Sequence, residues 1–114
     1  MGQPLSAVPS GQVVTLSEVL LDDAPGEVWA RFRFIAPAIA REGGSLGHEE
    51  AAPDMDHLCR ALALPYLRAN GLTAARVVIS LADRALPFGS RDSAATQFFE
   101  TYRPDGAECV WEGL

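Results

Sequence analysis

Lysine is absent from this 114-residue chain, so every one of its nine basic side chains is an arginine, set against fifteen acidic residues for a net charge of −6. An acidic surface without a basic stripe repels a phosphate backbone, which argues against a nucleic-acid partner and against anionic membrane surfaces. Long apolar runs are missing too. Charges or turn residues interrupt every apolar stretch well before the roughly 18 residues that a membrane-spanning helix needs, so no membrane insertion is expected. Histidine and cysteine are scarce, with two of each. None of them stands at C-x₂-C or H-x₃-H spacing, and no glycine-rich phosphate loop or nucleophile elbow is present, so no metal, cofactor or catalytic residue is expected.

What is there is ordinary globular material: 48% apolar and 21% charged residues, in a chain long enough for one core and too short for two. Residues 1–11 hold two prolines, two glycines and two serines and read as a flexible lead-in to one domain over 12–114. The opening MGQPLSAVPS lacks the basic start and apolar middle of a secretory signal. Gly2 and Ser6 fit a myristoylation pattern that eukaryotic machinery reads, but Met1-Gly2 placed ahead of a mature chain is the better reading.

QVVTLSEVLLDD is rich in β-branched and apolar residues and predicts a first strand, closed by Pro25-Gly26. EVWARFRFIAP alternates: Val28, Ala30, Phe32 and Phe34 on one side, expected to face the core, and Trp29, Arg31, Arg33 and Ile35 on the other. From Asp54 the period lengthens. Met55, Leu58, Cys59 and Leu62 recur at helical spacing, with Pro53 as a first helical residue, Pro65 as a kink near Leu64, and Asn70-Gly71 as the stop. ARVVISLAD predicts a strand buried on both faces. AATQFFETYRPDGAECVWEGL predicts a hairpin turning at Pro104-Asp105-Gly106. The order β-β-α-β-β-β implies a single α+β domain: a mostly antiparallel sheet of about five strands with one kinked helix on one face.

Three clusters invite function. Glu50, Asp54 and His57, with Asp56 beside them, would line the outer helix face, where a solvated charged face explains them without chemistry and a small hydrolase is the sharper alternative. Asp83, Arg84 and Arg91 flank an apolar loop tip at Phe88. There the plain reading is an Asp–Arg pair pinning the loop, and the functional one a binding surface shared with Gln97 and Phe99 on the next strand. The two cysteines, fifty positions apart, leave three readings open: a disulfide between helix and last strand, two free core thiols, or a chemical pair.

VPSGQVVTLSEVL, RFRFIAPAI, DMDHLCRALALPYL, VVISLADRALPFG, ATQFFETYR and CVWEGL together resemble an uncharacterised family from alphaproteobacteria, chiefly the Rhodobacter group. The resemblance runs from about residue 8 to the end of the chain. It implies an exported, periplasmic domain whose Cys59 and Cys109 form a disulfide in an oxidising space. Members begin with a secretory leader, where this chain has Met1-Gly2. Some carry the label acetolactate synthase, which does not suit this chain: thiamine-dependent chemistry needs large α/β domains that 114 residues cannot build. The expected role is therefore non-enzymatic binding of an unknown protein or small molecule in the bacterial envelope, by a monomer or weak homodimer. A structural accessory subunit of a larger complex is the alternative.

Overall fold

The structure is a computed structural model that describes residues 4–5, 8–40, 46–89 and 94–112. Six strands form one sheet in chain order: β1 (Pro4–Leu5), β2 (Val14–Asp22), β3 (Trp29–Ile35), β4 (Arg76–Ala82), β5 (Gln97–Asp105) and β6 (Glu108–Trp111). All neighbours are antiparallel except β3 and β4, which run parallel. A parallel pair cannot be joined by a tight turn, and the crossover here is the helix, as in a βαβ unit. The expected α+β domain and its order are borne out, with the minimal β1 added at one edge. Within the predicted lead-in, Pro4–Leu5 pairs with Val14 and Thr15, and Val8 is buried in the core.

Strand alternation sets the two faces. Ala30, Phe32 and Phe34 point to the helix and are essentially inaccessible, as are Val77, Ile79 and Leu81 of β4. Val28 departs from the expected core set and stands 38% exposed, because β3 begins only at Trp29. The final hairpin turns one step later than expected, with Gly106 at φ +62° and Asp105 opposite Glu108. Pro104 lies inside β5, opposite Cys109. β4 pairs with β5 only as far as Tyr102, so the proline's missing N–H deprives no neighbour on that side.

The helix begins earlier than the proline pattern implies. α1 spans His48–Leu58, which places Pro53 inside it and not at its start. Glu50 reaches back to accept the Gly47 N–H at 2.9 Å, half of a capping box, and this nucleates the turn ahead of the proline. Widening follows at Cys59–Ala63, a π-helical stretch in which Leu64 N–H bonds the Cys59 carbonyl, before α2 (Leu64–Ala69). Pro65 is the cause: it lacks the donor for Ala61 O and its ring crowds that carbonyl, and a wider turn relieves both. The stop is where the sequence puts it. Gly71 takes φ +63° and Leu72 N–H bonds Leu67 O at 2.8 Å.

Met55, Leu58 and Cys59 face the sheet, as their spacing predicts, and the wider turn then hands the buried face to Ala63, Leu64 and Leu67. Cys59 and Cys109 form a disulfide, with Cα atoms 6.3 Å apart. It ties the π-helical turn to the edge strand β6. Among the described residues, no helix is long and apolar enough to cross a membrane.

Candidate functional site

The helix covers one side of the sheet, and among the described residues the opposite side has no second layer of secondary structure. Register places Glu18, Arg33, Ser80 and Phe99 in one row across β2–β5 on this open side, with Leu20, Arg31, Val78 and Thr101 in the next. Val78, Ser80 and Ala82 are nonetheless buried, screened by the long side chains beside them and by the loop that leaves β4.

That loop is held down at three points. Asp83 accepts hydrogen bonds from Arg84 and from the Thr96 N–H at 3.1 Å. Arg84 also donates to Ala94 O at 3.2 Å. From below, Arg33 donates to Leu86 O at 2.9 Å and pairs with Glu18. The plain reading of Asp83–Arg84, an ion pair that pins the loop, is therefore what the geometry shows. Burial alone would raise the Asp83 carboxyl, but the Arg84 and Thr96 hydrogen bonds outweigh it and hold the group below the usual carboxylate range.

So pinned, the loop presents Phe88 above two guanidiniums: its ring centre lies 5.7 Å from Arg31 and 5.4 Å from Arg33. These are cation–π distances, yet the ring stays 55% exposed. Arg31 also approaches Trp29, at 5.6 Å, and bonds Asp22 at 2.9 Å. Asp22 is held below its ordinary value by the Ala24 N–H and by Arg31. Under the loop is a shallow pocket open to solvent, lined by Ser17, Arg33, Ser80, Arg84, Leu86 and Gln97 among others. Phe99 shares the open face with Gln97 and is 57% exposed; Ser80 separates its strand position from Arg33.

Of the predicted binding residues, Asp83, Arg84, Phe88 and Gln97 gather at this end of the sheet, and Phe99 lies further along β5. Arg91 lies outside the described residues. Sequence reasoning did not nominate Arg31 and Arg33, the platform beneath Phe88. Their alternation put them on the outer face, but only the parallel β3–β4 pairing brings the later loop above them.

The Asp/His cluster is corrected. Asp54 is not on the outer face: it is fully buried, accepting from Ser10 N–H at 2.8 Å, Ser10 Oγ at 2.5 Å and Gln12 Nε2 at 2.7 Å. It buckles the segment before β2 onto the helix. The signal was available, since Ala51, Asp54, Met55 and Leu58 stand at i, i+3, i+4 and i+7. Asp56 points elsewhere, about 200° around the helix, and accepts from Tyr102 Oη at 2.6 Å. Burial first, and then the Asp56 carboxylate, push that phenol far above its normal range. The two aspartates thus serve separate structural contacts, and His57, next in sequence after Asp56, is part-buried. Among the described residues, no three His, Cys, Asp or Glu side chains are grouped to hold a metal ion.

At the other end of the helix, His48 Nε2 lies 2.7 Å from Glu100, which also accepts from the Trp111 indole at 2.5 Å. This links the helix start to both strands of the last hairpin. Comparison with curated proteins and with solved structures returned no match. Matching it along residues 1–114, the chain belongs to a family of unknown function, DUF6497.

Proposed function

We propose that this domain is a non-enzymatic binding module of the bacterial envelope, and that it engages a protein through the open face of its sheet. The observation that carries the reading is Phe88, held over Arg31 and Arg33 by a pinned loop and still 55% exposed. A large aromatic kept in water by a rigid support is what an interface anchor requires, because little conformational entropy remains to be lost on docking. Phe99 adds a second exposed ring on the same face. Arginine and aromatic residues are the types enriched in interface cores. The arginines around them are matched by Glu18, Asp22 and Glu112, so this face is closer to neutral than the acidic chain as a whole.

Export to the periplasm belongs to the same proposal. The Cys59–Cys109 disulfide is compatible with an oxidising compartment, and the resemblance in sequence points the same way. The test is crosslinked capture from the native organism with the tagged protein and with a Phe88→Ala/Phe99→Ala variant. Both rings are exposed, so the variant should fold normally. A partner captured by the parent and lost at least tenfold by the variant supports the reading; capture that survives the double substitution sinks it.

A further inference from the structure

The pocket beneath the 83–89 loop is lined by two kinds of polar group. The charged ones are already engaged. Arg33 donates to Leu86 O and pairs with Glu18, while Arg84 pairs with Asp83 and donates to Ala94 O. Each guanidinium brings its own carboxylate, so the rim is electrically balanced. An incoming anion finds neither arginine without its acid, and an incoming cation finds neither acid without its arginine. Charge therefore does not select what enters.

The neutral groups are not engaged. Ser80, in the middle of β4 between Arg33 and Phe99, is only 8% exposed, yet its hydroxyl has no hydrogen-bond partner among the described residues. A polar side chain so deeply set normally has one. Gln97, opposite Ala82 at the start of β5, adds a carboxamide that is equally unmet among the described residues. Ser17 adds a second hydroxyl from the irregularity in β2 between Leu16 and Glu18, a place where a strand re-aims a side chain. All three line the pocket, and Ala82, Ala85 and Leu86 complete its wall. Its enclosed part measures about 10 Å³, room for one water-sized group. A sugar ring or a nucleotide is too large for it, whereas the tip of one side chain fits.

We propose that this pocket takes the side-chain carboxamide of a glutamine or asparagine belonging to the protein partner on the open face. The inference rests on the open-face reading and names the chemistry which that face selects. Ser17, Ser80 and Gln97 each both donate and accept, so their complement is a neutral tip that does the same. A carboxylate has no donor, an ammonium has no acceptor, and an aliphatic tip leaves all three groups unmet. A hydroxyl has one donor to share among them, where a carboxamide has two donors and a carbonyl oxygen. Phe88, on the loop that roofs the pocket, is placed to meet the residue beside the inserted one.

The experiment titrates the intact, oxidised, isotope-labelled protein with end-blocked glutamine and, in parallel, with end-blocked glutamate and methionine, which share its length and its backbone amides. Magnetic resonance should show saturable shifts at Ser80 and at the Gln97 side-chain amide with the glutamine compound. Affinity should fall about tenfold for the other two compounds, and as far for glutamine on Ser80→Ala/Gln97→Leu protein. That variant removes groups that bond nothing within the described fold, so it should stay folded. Equal shifts from all three compounds, or no saturation by any, overturn the proposal and leave the pocket to water. Capture from the native organism separates this inference from the reading beneath it. A partner lost by Phe88→Ala/Phe99→Ala but kept by Ser80→Ala/Gln97→Leu leaves the open face standing and overturns the pocket. Selective binding of the glutamine compound, with capture that survives loss of both rings, supports the amide site and overturns the open-face reading.

Discussion

The two faces of one sheet are held by different forces. Toward the helix, Phe32, Phe34, Val77, Ile79, Leu81 and Tyr102 are sealed from water, and burial of apolar area supplies the stabilisation. On the open side, Arg31–Asp22, Arg33–Glu18 and Arg76–Glu112 pairs cover the middle strands with aliphatic stems and charged ends. Exposed pairs of this kind contribute only about 0–1 kcal/mol each. The lesson is that one face carries the fold and the other is free to present chemistry, because substitutions there cost the fold little.

Matched substitutions test that contrast directly. Phe32→Ala, on the sealed face, should lose about 3–5 kcal/mol in urea unfolding, whereas Phe99→Ala should stay within about 0.5 kcal/mol. Equal losses would mean the open face is a second core. Next in size is the disulfide. Closing a loop of fifty residues is worth about 4 kcal/mol by chain entropy, and removal in small domains typically costs about 2–5. Cys59→Ala/Cys109→Ala should also drop hydrogen-exchange protection in β6 before β3 or β4, since β6 buries little else. Asp54→Ala, which strands the donors of Ser10 and Gln12, should cost about 2–3 kcal/mol and raise exchange at residues 8–12.

The smallest effect concerns pH on the open face. Asp22 and Asp83 both have folded values below their ordinary ones. Their contribution is therefore complete above the unfolded carboxylate value of about 3.9 and is lost as pH falls through the lowered folded values. Acid titration of stability should steepen below about pH 4, and Asp83→Asn should flatten that limb. A slope left unchanged would show that the pinned loop adds nothing to folding.

Much of the fold was legible because local rules governed it. Alternation in β3 named the sealed and open faces, helical spacing named Met55, Leu58 and Cys59, and Pro65 foretold a disturbed helix. Errors fell where a distant segment intervened. Asp54 was assigned to water because a carboxylate on a helix normally is, and only Ser10 and Gln12 folding over it make burial tolerable. The loop residues around Phe88 were legible as a surface, but not their support, since Arg31 and Arg33 lie more than fifty positions earlier.

By itself the sequence determined the class of the main elements, the face β3 would bury and the helical position of one thiol, since these follow from side-chain period and backbone chemistry within a few residues. Tertiary structure alone decided that β3 and β4 run parallel and adjacent, that Cys109 meets Cys59 and that Phe88 rests on two arginines. Each of those depends on which segments become neighbours in space, and that choice is made by the packing of the whole core.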